Sequence, residues 1–133
     1  MIRAYMPVDA DALDILSREG SVPATHVVSV TPGVRALAPD GDEELHEHLA
    51  CQLAAAAATS DPVADLAFDV RPERVEDAEG HVGAISLLGD VGLRDVACFL
   101  VADPGERVQE DAELELSWYD AGERDSVRAL LSS

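Results

Sequence analysis

Lysine and asparagine are missing from this chain of 133 residues, whose nine basic residues are all arginines set against 27 aspartates and glutamates. The formal net charge of −18 repels a phosphate backbone, and the arginines form no cluster that reverses the repulsion locally. The composition therefore argues against direct nucleic-acid binding. Three explanations of the acidity stay open: the codon bias of a high-GC genome, adaptation to salt, or an acidic decoy that occupies a basic, nucleic-acid-binding partner.

Aromatic residues, cysteines and long apolar runs are also scarce. The core must be built mostly from Val, Leu and Ala, and no stretch approaches the roughly 20 apolar residues of a membrane span. The first residues show no apolar run of a secretory signal, so we expect a cytoplasmic protein without membrane association. Cys51 and Cys98 lack CxxC spacing and are predicted to be free, buried thiols. The length predicts one acidic α+β domain over residues 1–133.

The first third of the chain predicts a strand, a helix and a second strand. A strand is expected over residues 2–6, and Asp9 is typical of the cap of a helix that Gly20 ends. The β-branched residues 26–30 predict the next strand, which breaks at residues 31–33. This order predicts a right-handed parallel crossover between the two strands.

A second main helix has the clearest signature. Asp40 and Glu43 have the spacing of a capping box, and Leu45, Leu49, Leu53 and Ala56 recur at helical spacing, which predicts one apolar face of the helix. Alanines fill the second half of this helix up to residue 59, so another backbone can approach it closely.

The remaining chain predicts strands and a short helix. Residues 64–71 alternate apolar and acidic side chains, which indicates a half-buried strand, and further strands are expected over 82–88, 95–101 and 112–118. Residues 72–80 are predicted to form a charged loop and residues 123–131 a C-terminal helix. The expected fold is α+β: a single-layer mixed, largely antiparallel sheet of about five to six strands, two main helices over one face and a short C-terminal helix.

The sequence contains no recognisable catalytic constellation. No GxSxG elbow surrounds a serine, and Cys51 and Cys98 fit small core residues better than activated thiolates. His46 and His48 point to opposite sides of a helix, so they cannot share an ion and are expected on an exposed helix face. We therefore expect no catalytic residue, no metal and no cofactor, which favours a non-catalytic protein.

Several short motifs resemble those of a small actinobacterial family of unknown function. They are Arg3-Ala4-Tyr5-Met6-Pro7, Val30-Thr31-Pro32-Gly33-Val34-Arg35, Gly41-Asp42-Glu43-Glu44-Leu45 and Leu116-Ser117-Trp118-Tyr119 with Glu123. The resemblance spans most of the chain and implies a high-GC, cytoplasmic origin. It carries no known activity, so it transfers no catalytic residue.

The matching positions suggest a binding region. Thr31, Arg35 and Glu44 bracket a connection between a strand end and a helix start, where α/β sheets place ligands, and Trp118 and Tyr119 are expected to close over it. The leading hypothesis is a protein-interaction domain for a basic partner, or a homodimer through the alanine-rich helix or the aromatic end. The alternatives are a small ligand-binding domain or enzyme that uses residues 31–44, and an acidic nucleic-acid mimic.

Overall fold

Nine strands and four α-helices follow one another in the computed structural model, which describes residues 1–110 and 112–131. The remaining positions of the predicted 1–133 domain lie outside the described residues. The helices are α1 (Ala10–Glu19), α2 (Pro32–Leu37), α3 (Glu43–Ala56) and α4 (Arg124–Leu131). The strands are β1 (Ile2–Pro7), β2 (Ser21–Val22), β3 (Val28–Ser29), β4 (Ala64–Val70), β5 (Val75–Asp77), β6 (Ile85–Leu87), β7 (Val91–Gly92), β8 (Val96–Val101) and β9 (Ser117–Asp120).

Five strands form the main sheet in the order β3-β1-β4-β8-β9. Tyr5 on β1 lies opposite Ala67 on β4, and Leu66 on β4 lies opposite Phe99 on β8. All strand pairs in the described residues are antiparallel. The α+β class, the largely antiparallel sheet and the C-terminal helix are therefore confirmed.

The predicted parallel crossover is wrong. After α1, Gly20 adopts a left-handed φ of 77° and turns the chain into β2, which pairs with β7 outside the main sheet. The chain then returns as β3, which pairs antiparallel with β1. The expected 26–30 strand is reduced to β3 and ends before residues 31–33, as predicted. These residues begin α2, because Thr31 caps this helix and a proline occupies its first turn.

Helices cover both faces of the sheet, whereas the sequence predicted one. On the first face Leu13 of α1 and Val127 of α4 pack with Phe68 and Phe99. Each such fully buried side chain stabilises the fold by about 1.5–3 kcal/mol. Arg128 joins the two helices at their surface through two hydrogen bonds to Asp14, at 2.8 and 2.9 Å.

On the second face α3 turns small residues toward the sheet. Ala50, Cys51 and Ala54 pack with Tyr5 and Ala67. The predicted stripe of leucines holds only in part: Leu53 packs against this cluster, whereas Leu45 is 39% exposed. Small side chains let the helix axis lie close to the sheet, and this close approach favours the alanine face over the bulkier leucines.

Local details of the later elements differ from prediction in three places. The cap of α3 is Asp42, whose carboxylate accepts the N–H of Leu45, and not Asp40. The expected 72–80 loop contains β5, which pairs with the short β6 in a separate ribbon. The expected 112–118 strand is regular only as β9, because residues 112–116 leave the sheet and cross toward α3.

Candidate functional site

The predicted site residues Thr31 and Arg35 lie together near the β3 edge of the sheet. The Thr31 hydroxyl accepts the N–H of Val34 at 3.2 Å and donates to the Val82 carbonyl, so it has a structural role as a helix cap. The Arg35 guanidinium lies 3.8 Å from the Glu43 carboxylate, and both side chains are at least half exposed. The two residues border a mixed-charge depression of about 550 Å³.

Trp118 and Tyr119 lie at the other edge of the sheet. Both belong to β9, and three strands separate β9 from β3. They therefore cannot close over Thr31 and Arg35, and this part of the predicted arrangement is wrong. Tyr119 packs partly into the core beneath α4, whereas the Trp118 side chain is 62% exposed. Sequence reasoning grouped these residues because it could not supply the order of the strands.

Glu44 borders a different feature, a cleft that we call the α3 cleft. It has a volume of about 560 Å³ and lies between α3 and the segment 113–116. Its lining residues are Tyr5, Glu44, Glu47, His48, Cys51, Gln52, Leu100, Glu113, Leu114, Glu115 and Leu116. Of the predicted site residues, Glu44 alone lines this cleft.

Gln52 on α3 fixes the second wall of the α3 cleft. Its side-chain amide donates to the Leu114 carbonyl at 2.8 Å and accepts the Leu114 N–H at 2.9 Å. Leu114 is buried against Ala55 and Val63. This double hydrogen bond and the buried leucine place the glutamates on either side of Leu114 at the rim of the cleft, opposite the glutamates of α3.

The charge of the α3 cleft is strongly negative. Glu44 and Glu47 lie on one wall and Glu113 and Glu115 on the other, and in the described residues no arginine lines it. The Nε2 atom of His48 is 3.1 Å from a Glu113 carboxylate oxygen but outside hydrogen-bond geometry. The floor is apolar, so the cleft combines a hydrophobic base with an anionic rim.

A buried polar pair lies beneath the cleft. The Cys51 thiol lines the cleft and donates to Oδ2 of Asp65 at 3.3 Å. Asp65 is completely buried, and its Oδ1 atom has no hydrogen-bond partner among the described residues. Burial raises the pKa of Asp65 to about 7, which the hydrogen bond from Cys51 opposes. Burial, with the nearby Asp65, also raises the pKa of Cys51, so the thiol stays protonated at neutral pH.

Sequence reasoning missed Asp65 because the alternation of β4 placed it on a solvent-facing side. The alternation is real, but α3 covers that side of the strand as well. The sequence did contain one indication that this face is covered. Ala67 lies two residues after Asp65 on the same face of β4, and a small residue there lets a helix pack closely against the strand. Cys51 and Cys98 are both free and buried, as predicted.

His46 also differs from expectation. It is 6% exposed instead of lying on an open helix face, and its Nε2–H donates to the Ala38 carbonyl at 2.8 Å. This hydrogen bond fastens the connection between α2 and α3. Within residues 1–110 and 112–131, no group of three or more His, Cys, Asp or Glu side chains has an arrangement that could hold a metal ion.

The fold and the cleft define a class of protein: an acidic α+β domain with helices on both sides of an antiparallel sheet and an anionic cleft under one helix. The chain belongs to a family of unknown function, DUF6912, whose model matches residues 2–128. No curated protein and no solved structure matches the chain significantly. In the described part of the chain, none of the helices has both the length and the apolar character of a membrane span.

Proposed function

We propose that the protein is a non-catalytic interaction domain that binds an arginine or lysine side chain of a basic partner protein in the α3 cleft. The observation that carries the proposal is the anionic rim above an apolar floor. The aliphatic part of a long basic side chain can lie on Leu100 and Leu116, while its cationic group reaches the rim glutamates. Arg35 and Thr31 lie outside this cleft and have no part in the proposed contact.

The chemistry of the cleft supports binding over catalysis. Its one thiol, Cys51, is held protonated by burial and by the Asp65 carboxyl, so it is a poor nucleophile. Burial raises the pKa of the Tyr5 hydroxyl, and the charge of Glu47 raises it further, so the phenol stays protonated at neutral pH and is not available as a general base.

We also propose a cytoplasmic location and a high-GC actinobacterial source. Two free thiols, Cys51 and Cys98, suit a reducing compartment, and the absence of lysine and asparagine suits GC-rich codons. A homodimer through the alanine-rich helix is less well supported, because Ala50, Ala54 and Ala55 are buried inside the fold. An acidic nucleic-acid mimic stays an alternative that rests on net charge alone.

A small cationic molecule is the second candidate ligand. The volume of about 560 Å³ is within the range of small-molecule sites. The cleft is open to solvent along its acidic rim, which suits a side chain that enters from a partner surface. A free amine would use the same glutamates but would not need a protein surface outside the cleft.

Nuclear magnetic resonance titration with a short peptide tests the proposal. We expect Ac-Gly-Arg-Gly-NH2 to shift the backbone amides of Leu100 and Leu116 and the side-chain amide of Gln52. The matched peptide with citrulline has the same shape without the charge and should leave these signals in place. Equal shifts with both peptides, or shifts confined to residues outside the cleft, would contradict the proposed function.

A further inference from the structure

The outer edge of β9 is an open strand edge beside the α3 cleft. β9 is the last strand of the sheet and pairs with β8 on its inner side. Ser117, Trp118 and Asp120 are exposed, and the large side chain of Trp118 is 62% exposed. A strand edge with free backbone groups is a template for another strand, and an exposed tryptophan is a frequent anchor in protein interfaces.

The hydrogen bonds at the end of β9 show which backbone groups face outward. The N–H of Asp120 donates to the Glu123 side chain at 2.9 Å, so it is not part of the ladder with β8. Alternate residues of an antiparallel strand direct their backbone groups to the same side. The N–H and C=O of Trp118 therefore point away from β8, toward the open edge.

The side chain of Trp118 is continuous with the α3 cleft. Trp118 lies opposite Leu100 in the ladder between β9 and β8, and Leu100 forms part of the cleft floor. Cys98 and Leu100, its neighbour two residues along β8, both pack on the α3 side of the sheet. Leu116, two residues before Trp118, also lines the cleft. An apolar strip thus runs from the floor of the cleft to the sheet edge.

We propose that an extended segment of a basic partner protein adds to β9 as a sixth strand of the sheet. The segment pairs with the outward N–H and C=O of Trp118, packs an apolar side chain on the indole ring and directs an arginine or lysine into the α3 cleft. This inference rests on the proposed function and specifies the conformation of the partner. Strand addition supplies backbone hydrogen bonds for affinity, and the cleft supplies selectivity for a basic residue.

The negative charge around β9 favours binding of a basic extended segment over binding of a second copy of the chain. Glu113, Glu115 and Asp120 flank the strip, and the whole molecule has a net charge of −18. Two copies joined at β9 would bring these carboxylates together, and like charges across an interface oppose association. A basic extended segment neutralises them instead.

Two isomers of one peptide test strand addition. The probe is the heptapeptide Ac-Ser-Val-Ser-Arg-Ser-Val-Ser-NH2, whose valines and arginine lie on one face of an extended chain. The isomers carry three N-methyl groups each, either on the valine and arginine amides or on the first three serine amides. Both isomers have the same charge, but each blocks hydrogen bonding along one edge of the peptide. Only one edge of the peptide faces β9, so only one isomer loses the backbone hydrogen bonds to β9. We expect this isomer to bind at least about tenfold more weakly than the other. Equal affinities of the two isomers would overturn strand addition.

A second measurement reads the β9 edge directly. Binding of the unmodified heptapeptide should slow hydrogen exchange at the Trp118 amide, and Trp118→Ala should weaken binding by about tenfold, the usual scale of an aromatic anchor. Leu88→Ala, which trims another exposed apolar side chain outside the strip, is the control and should bind like the wild type. An unchanged Trp118 amide in the bound state would contradict the proposal.

The outcomes separate this inference from the proposed function. If the heptapeptide binds more tightly than its citrulline analogue while the two methylated isomers bind equally, strand addition is wrong and the cleft function stands. If the citrulline analogue binds as tightly as the arginine peptide, the cleft function itself is wrong.

Discussion

At the level of single residues, burial of the Asp65 carboxyl carries an electrostatic cost. Its carboxyl is fully buried between β4 and α3, one oxygen accepts a hydrogen bond from the Cys51 thiol, and the other has no partner in the described chain. A thiol is a weak donor, so it compensates the buried carboxylate poorly. The charged form is therefore disfavoured, and the pKa of Asp65 is raised from 3.8 to about 7.

We expect Asp65→Asn to remove a pH-dependent loss of stability. A carboxyl whose pKa is higher in the folded state binds its proton more tightly there, so the free energy of unfolding is larger at low pH and falls as pH rises from about 4 to about 7. The pKa change corresponds to about 4 kcal/mol. The stability difference between Asp65→Asn and the wild type should therefore grow by up to this amount across that range, as measured by urea unfolding at several pH values.

Asp69→Asn is the matched control for this experiment. Asp69 lies on the same strand and the same face, but it is partly exposed and paired with Arg3 at 2.8 Å. The pH dependence of its stability difference from the wild type is the baseline against which the Asp65→Asn difference is compared. A difference for Asp65→Asn that is constant over this range would show that the buried carboxyl does not titrate there.

At the level of elements, α3 decides the shape of the cleft. The helix rests on the sheet through Ala50, Cys51 and Ala54, and this close contact brings its glutamates beside the segment 113–116. Leu45, which the sequence pattern placed inside, is partly exposed. The orientation of α3 about its own axis is therefore the feature on which both the cleft and its charge depend.

We expect Ala54→Leu to destabilise the fold far more than Leu45→Ala. Ala54 is completely buried, so a larger side chain must displace the helix from the sheet, at a cost of about 1–3 kcal/mol. Leu45→Ala removes a side chain that water already reaches, and we expect a loss below about 1 kcal/mol. Thermal or urea unfolding measures both, and the reverse order would show that the leucine stripe faces the core.

The sequence predicts elements better than it predicts their packing. Asp9 and Gly20 defined α1 correctly because a cap and a left-handed turn act within a few residues. Leu45 and Asp65 were misplaced because their burial depends on which elements cover each face of the sheet. Trp118 was assigned to the wrong edge for the same reason, since strand order follows from long-range pairing that no local pattern contains.

At the level of the whole molecule, the net charge and the local charge of the α3 cleft contribute differently to the binding of a basic peptide. A charge of −18 attracts any basic peptide at long range, and salt screens this attraction without regard to where the peptide lies. The α3 cleft adds a local contribution, because its carboxylates surround an apolar floor. Two variants with equal net charge separate the two contributions.

The central claim is that the α3 cleft, and not the overall charge, binds a basic side chain. The cleft variant combines Glu44→Gln, Glu47→Gln and Glu115→Gln; the control combines Glu73→Gln, Glu76→Gln and Glu79→Gln, exposed residues outside the cleft. Each variant removes three negative charges.

The deciding measurement is the Kd of Ac-Gly-Arg-Gly-NH2 for both variants, by nuclear magnetic resonance titration at physiological salt. We predict about tenfold weaker binding for the cleft variant and a change below about twofold for the control. Equal weakening in both variants would contradict the claim.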